Sequence, residues 1–459
     1  MERTTDTLDL EAILGSARVS PVALGVCLLT SLTMIFDGFD IQAIAFAAPR
    51  LIIEWGISRP QLASVLAAGV LAMGVGSFGF GYLGDRYGRR RALISCLVVM
   101  AVSSALSARA TGLWNLGVWR FLTGLGLGGA LPNAAALMVE FAPTRARNLS
   151  TAVTVVGVPV GGLLGALAAS LLIPLGGWQS IFWLGSALPA ALAVLMAFCL
   201  PESPRYLATR DDRRMELARL INRVTGTTHY QGHERWGFLD VSGGRLALRA
   251  LFLPTYRHNT LIIWLIFFSN LLAVYSFFNW IPTLLTGAGL SLNDALRGAL
   301  LFNFGGVLGA LGGALVMNQL GSRPVMVSLA IVGVASCLAL AYLSIGQSLG
   351  LAPLYMLIFV AGACINGQQV QMFTVTGHAY PTRIRAMGVG AGLASARVGS
   401  IASAFAGSVL VQNGGSLATF FLGLAAVLMI TLGGVVWLRC HLPPTGGLLP
   451  YRRTEPSGT

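Results

Sequence analysis

Twelve apolar runs of about 20 residues or more divide this 459-residue chain almost from end to end. Each is long enough to carry a helix across roughly 30 Å of hydrocarbon. They cover 22–48, 60–83, 92–110, 113–140, 148–173 and 177–200, then 258–285, 294–317, 324–345, 351–379, 384–410 and 415–439. Lipid gives backbone N–H and C=O groups no other partner, so such runs fold as helices. The expected fold class is an all-α integral membrane protein with twelve transmembrane helices. Composition agrees: 55% of residues are hydrophobic and 10% charged, against about a quarter charged in a soluble protein. The first run follows an acidic, polar stretch and is too long for a signal-peptide core, so no such processing is expected.

The net charge of +13 invites a nucleic-acid reading, but its distribution points elsewhere. All 30 basic residues are Arg, and they cluster in alternate loops: Arg86 to Arg91, Arg145 and Arg147, Arg205 to Arg257, Arg383 and Arg385, then Arg439, Arg452 and Arg453. The intervening loops hold few. By the positive-inside rule both termini and the central loop are cytoplasmic, and the bilayer, with its anionic headgroups, is the partner of this charge rather than nucleic acid. Cys27, Cys96, Cys199, Cys337, Cys364 and Cys440 are scattered without metal-binding spacing and read as small packing residues. No nucleophile triad, phosphate loop or metal-ligand cluster appears, so no enzyme, metal or cofactor is expected.

A polar stretch divides the runs six and six. The expected organisation is a cytoplasmic N-terminal segment (1–21), a six-helix bundle (22–200), a cytoplasmic central loop (201–257), a second six-helix bundle (258–439) and a cytoplasmic tail (440–459). The loop holds one Arg-rich, helix-compatible segment, 211–224. The halves repeat: PTRARNLS at 143–150 matches PTRIRAMG at 381–388, and GDRYGRRR at 84–91 has a fainter echo in NQLGSRP at 318–324. Two parallel copies of a six-helix unit place a substrate cavity between them near the midplane.

The first run contains FDGFD, so Asp37 and Asp40 lie one helical turn apart on one face. A carboxylate at the bilayer centre costs roughly 2.5–3.5 kcal/mol on insertion scales and marks a cavity or a buried partner. Such a pair carries protons as well as charge, which singles out Asp37 and Asp40 for proton coupling. The competing role is structural, with one of them pairing with Arg120 or capping a distortion at Gly38.

GYLGDRYGRRR at 81–91 resembles the loop signature between the second and third helices of the major facilitator superfamily. RFLTGLGLGG at 120–129 is similar to the family's fourth-helix signature, and PESPRYL at 201–207 to its end-of-sixth-helix motif. DGFD at 37–40, ALPN at 130–133, YPTRIRAMGVG at 380–390 and RVGS at 397–400 narrow the resemblance to the aromatic acid:proton symporter branch. That branch imports compounds such as 4-hydroxybenzoate, protocatechuate, benzoate or hydroxyphenylpropionates into bacteria. The resemblance extends over essentially the whole chain. It implies a proton-coupled secondary transporter in the bacterial inner membrane, working by alternating access around a central cavity, with a monomer as the expected state.

On that resemblance Asp85, Arg86 and Arg90 form a charge lock at the cytoplasmic face, with Glu140 and Arg145 as gate partners. Asn318 stands where the family often has Asp, so the second half's counterpart departs from the pattern. An aromatic carboxylate in a low-dielectric cavity needs a cation, and Arg397 and Arg120, both mid-run, are the candidates. Asn133 and Gln368 are candidates for ring hydroxyls, and Phe39 and Trp280 for the ring itself. VVGVPVGG at 155–162 has Val158 where superfamily antiporters carry glycine, which favours import. The alternatives are an organic-anion, sugar or drug carrier of the same superfamily, efflux antiporters included, and a receptor that binds aromatic acids without moving them.

Overall fold

The computed structural model describes residues 8–17, 19–144, 147–232, 234, 236–237, 248–345, 350–412 and 416–444. Fifteen α-helices follow one another within them. A short α1 (Leu10–Ser16) precedes six long ones: α2 (Pro21–Trp55), α3 (Arg59–Tyr87), α4 (Arg89–Ala108), α5 (Leu113–Phe141), α6 (Arg147–Gly176) and α7 (Gln179–Cys199). The polar stretch supplies α8 (Pro204–Ala208) and α9 (Arg214–Thr225). Six more long helices complete the chain: α10 (Arg257–Gly287), α11 (Leu292–Leu320), α12 (Ser322–Ile345), α13 (Leu351–Ala379), α14 (Thr382–Gln412) and α15 (Leu417–Trp437). Twelve of these helices are long and apolar enough to cross a membrane.

Local chemistry sets the ends. Ser20 caps α2 by accepting from Ala23 N–H at 3.1 Å, with Pro21 in the first turn, where a missing N–H costs nothing. The helix runs on past the end of its apolar run, through Pro49 and Arg50, until Gly56 stops it at φ 59°. Gly88 (φ 106°) makes the turn between α3 and α4, and Gly321 (φ 83°) makes the turn between α11 and α12. The faint echo of GDRYGRRR in NQLGSRP is thus the same left-handed corner used twice.

The internal repeat is visible in the packing. Helix α3 packs on α5, α2 on α6, and α4 on both α5 and α7. In the second half α11 packs on α13, α10 on α14, and α12 on both α13 and α15, which is the same scheme. Between the halves α6 meets α11, α14 meets α3, and α2 meets α10, as a twofold relation requires. Close approach rests on glycine: a Cβ at Gly128 would overlap the Met73 backbone on α3, and one at Gly309 would overlap the Ala363 backbone on α13.

The two ends of the bundle differ. At the end away from the basic loops, one continuous apolar cluster joins both halves, with Phe46, Leu51 and Leu66 packed into the same core as Val274, Ile281 and Leu285. At the basic end the first half has its own cluster, built from Leu29, Leu97, Leu137 and Met196 with Leu14 of α1 and Ile221 of α9. Among the described residues, none of the second half joins it. Among the described residues the apolar cluster that joins the halves lies at the end away from the basic loops, and the basic-end cluster belongs to the first half alone.

Candidate functional site

Asp37 and Asp40 are both buried in the middle of α2, at 4% and 1% exposure, yet their surroundings differ completely. Asp40 is saturated. Arg120 of α5 donates from Nη1 to both carboxylate oxygens at 3.2 and 3.1 Å, and from Nη2 to the Asp40 backbone carbonyl at 2.8 Å. Ser104 Oγ of α4 adds a bond to Oδ1 at 3.2 Å, and the Phe182 ring lies 5.7 Å from the guanidinium carbon. This is a closed ion pair inside the first half. Of the two uses sequence leaves open for Arg120, the structure shows it paired with an aspartate.

Asp37, one turn earlier, has a buried Oδ1 with no hydrogen-bond partner among the described residues. The charges acting on it are Arg397 of α14 and Asp40. Arg397 is half-buried, and its Nη1 donates to Met73 Sδ of α3 at 3.5 Å, a thioether that is only a weak acceptor. Tyr275 of α10 is buried within reach of both Arg397 and Asp37. One carboxylate from the first half, one guanidinium from the second and one phenol from the second therefore converge where the halves meet. Beside them a cavity of about 30 Å³, room for a single water, is bounded by Ile41, Ile44, Met73, Arg120, Tyr275 and Asn279.

The glycine of DGFD has its own task. A Cβ at Gly38 would collide with the Val158 carbonyl, so Gly38 lets α2 lie directly on α6. Just beyond Asp40, Gln42 and Asn303 of α11 exchange two hydrogen bonds across the halves, Gln42 Nε2 to Asn303 Oδ1 at 3.1 Å and Asn303 Nδ2 to Gln42 Oε1 at 2.9 Å. Both are essentially inaccessible, and a Cβ at Gly162 of α6 would strike the pair.

The other candidates scatter. Phe39 packs inside the first half, against Gly165 and Gly185. Trp280 packs inside the second, over Gly407, and donates to the Ser403 carbonyl at 3.2 Å. Gln368 lies on the fully buried face of α13 with Ile365 and Met372, whereas Val370, on another face, packs with Val156 of α6 across the halves. Both amide atoms of Gln368 are without a partner among the described residues.

Asn133 sits at the basic end. Its Nδ2 donates to the Phe80 and Gly129 carbonyls at 3.0 and 2.8 Å, and its Oδ1 accepts from Arg89 at 3.2 Å. Arg89 also pairs with Asp85, whose side chain remains 68% exposed. Arg86 donates to Tyr82 Oη at 2.8 Å. The Arg90 guanidinium bonds the Ala197 carbonyl, and its backbone N–H donates to Glu202 Oε1 at 2.9 Å. Glu140 accepts from Ser203 Oγ. Arg145 lies outside the described residues.

Sequence reasoning missed Glu202 and Ser203 as parts of this basic-end cluster, although both belong to the PESPR motif. Glu202 also accepts from Ser203 N–H at 2.9 Å, and a Cβ at Gly88 would collide with its carboxylate. The acid thus neutralises the N-terminus of α4, and the glycine of the corner makes room for it.

Comparison with known proteins places this geometry. Residues 30–358 match the model of the Major Facilitator Superfamily. A 4-hydroxybenzoate transporter of Pseudomonas aeruginosa is 36% identical over 89% of this chain and 91% of its own length. A gallate transporter of Pseudomonas putida is 34% identical over 90% and 92%, and a 3-(3-hydroxy-phenyl)propionate transporter of Escherichia coli is 31% identical over 86% and 88%. Among solved structures, a D-xylose-proton symporter superposes with a TM-score of 0.70 at 16% identity, covering 93% of this chain and 99% of that one. The chain is a multi-pass membrane transporter, not an enzyme, and belongs to the Major Facilitator Superfamily, in the group that holds these aromatic-acid transporters.

Proposed function

We propose that the protein imports an aromatic carboxylate of the hydroxybenzoate class together with a proton, across the bacterial inner membrane, by alternating access. The observation that carries this reading is Asp37: a buried carboxylate with an unpaired oxygen, facing one cation from the opposite half. Arg397 offers planar donors suited to a carboxylate, and it serves one carboxylate at a time. With the site empty, Asp37 is charged and Arg397 balances it. When the substrate carboxylate takes Arg397, Asp37 is left buried without a counter-charge, and it takes up a proton rather than stay ionised in a low-dielectric site. Substrate and proton then bias the same equilibrium between the two ends of the bundle. The substrate ring takes its place against Tyr275, Ile41 and Ile44 once the cavity they bound, here wide enough for a single water, opens further, and edge and stacking contacts suit it there. Asp40 and Arg120 hold the walls, and the Asp85, Arg86, Arg89, Arg90, Asn133, Glu140 and Glu202 cluster is the cytoplasmic gate.

Asp40 is already balanced by Arg120, so the site takes up one proton per substrate monoanion, and no net charge moves. Uptake into proteoliposomes should respond to a pH gradient and not to a potassium–valinomycin potential. A second proton would instead draw on about 2.3 kcal/mol per 100 mV, and potential-driven accumulation at equal pH would contradict the one-proton reading.

The Gln42–Asn303 pair is the natural latch of the end where the apolar cluster joins the halves, since α2 and α11 must part there for that end to open. Asn303→Leu leaves the Gln42 amide buried and unsatisfied in the sealed state, a cost of about 1–3 kcal/mol. The ratio of the two states should move roughly 5- to 150-fold away from the conformation described here. Spin-label distances across the basic end report this directly as a shorter population. An unchanged distance distribution would remove the pair from the gating scheme.

A further inference from the structure

A groove of about 510 Å³ opens at the basic end of the first half. One wall is the first turns of α2, with Val22 and Gly25, and another is the end of α7, where Phe198 is 85% exposed. The rim is α9, with Arg219 and Arg223. Helix α9 is amphipathic: Leu217, Leu220, Ile221 and Val224 are buried in the first half's basic-end core, which leaves Arg219 and Arg223, one turn apart, exposed side by side. The acids of the groove are already committed. Glu216 accepts from Arg213 Nε and Nη2 at 2.9 and 2.8 Å, and Glu202 holds the Arg90 and Ser203 N–H groups, both at 2.9 Å. Arg219 and Arg223 have no hydrogen bond or ion pair among the described residues.

Two uncompensated guanidiniums therefore stand over an apolar floor at the level where α2 and α7 leave the apolar zone. That juxtaposition matches one ligand chemistry: a phosphate monoanion with a hydrocarbon chain attached. Guanidinium forks bind phosphate oxygens with charge-assisted hydrogen bonds, and basic side chains at this depth meet anionic headgroups directly. We infer that this groove binds an anionic phospholipid of the phosphatidylglycerol class, its phosphate held by Arg219 and Arg223 and an acyl chain lying on Val22 and Phe198. Since α9 packs on α2, the bound lipid splints the central loop to the helix that carries Asp37.

The test is native mass spectrometry of the full chain released from vesicles of equal phosphatidylglycerol and phosphatidylcholine. Wild-type protein should retain phosphatidylglycerol in preference to phosphatidylcholine. The Arg219→Gln/Arg223→Gln double variant, which keeps side-chain length and helix propensity, should retain it roughly 30-fold less well, at about fivefold per arginine. Arg214→Gln, on the same helix but paired with Asp211, should retain it as wild type does, as should wild type washed with millimolar inorganic phosphate. Equal retention of the two lipids, or undiminished retention in the double variant, would overturn the site. Release of the lipid by inorganic phosphate would overturn the lipid assignment in favour of a soluble anion. Circular dichroism of each variant separates loss of lipid from loss of fold.

Discussion

Asp37→Asn should abolish gradient-driven accumulation of 4-hydroxybenzoate in proteoliposomes, by about 100-fold, the upper range of a coupling free energy between two ligands. Binding should survive. The amide cannot ionise, so Arg397 is released to the substrate carboxylate and the site is fixed in its protonated mimic. Exchange of labelled for unlabelled substrate across the membrane, which needs no net proton movement, should therefore continue near the wild-type rate. A structural aspartate would behave differently, with exchange and accumulation falling together as folded protein is lost. The diagnostic is the split between the two assays, measured on equal amounts of folded protein. Accumulation by Asp37→Asn at the wild-type level would remove the residue from the coupling step.

Arg120→Ala should be the most destabilising single change in the site. It leaves Asp40 buried at 1% exposure with its counter-charge gone, and breaking a buried pair from one side costs about 3–5 kcal/mol. The expected outcome is poor recovery from the membrane and a markedly lower thermal midpoint in detergent. Neutralising both partners together, Asp40→Asn with Arg120→Met, should restore most of the lost stability, because no charge then remains without its partner. The double variant should also keep measurable substrate exchange, since Asp37, Arg397 and Tyr275 are untouched. If Arg120→Ala folds as well as wild type, the pair contributes little. If the double variant is stable but exchanges nothing, Arg120 or Asp40 touches the substrate after all.

The two predictions separate what FDGFD leaves merged. From spacing alone Asp37 and Asp40 are equivalent, one turn apart on one face of a helix. Their difference comes from α4 and α5, which bring Ser104 and Arg120 to Asp40, and from α14, which brings Arg397 from some 360 positions away in sequence to Asp37. Those are tertiary facts with no local signature. The fold, by contrast, was legible: in lipid an apolar run of sufficient length has one solution, and twelve such runs with alternating arginine loops leave little freedom. The loop element was legible too, and the expected segment 211–224 is a short 3-10 turn followed by α9.

Side-chain direction was not legible. Phe39, Trp280 and Gln368 all lie in helices that a two-halved transporter places around its centre. Which way each points depends on where glycines such as Gly165, Gly185 and Gly407 open space, and those contacts are set by helix rotation. Asn133 is expected from the sequence at a ring hydroxyl, whereas its place in the basic-end cluster depends on Arg89 and the α3–α4 corner, which only the fold brings to it. The Gln42–Asn303 pair carried a faint sign: two amides in apolar runs of opposite halves, each costly to bury unless they meet.

The most direct test of the central claim is the pH change that substrate itself produces. Proteoliposomes carrying the protein, weakly buffered and with no imposed gradient, would be given 4-hydroxybenzoate outside at neutral pH while external pH is recorded. The account predicts alkalinisation of the medium at a ratio of one proton to one labelled substrate taken up, and none with Asp37→Asn although that variant still exchanges substrate. Substrate entry through the wild-type protein with no pH change, or an undiminished pH change with Asp37→Asn, would contradict it.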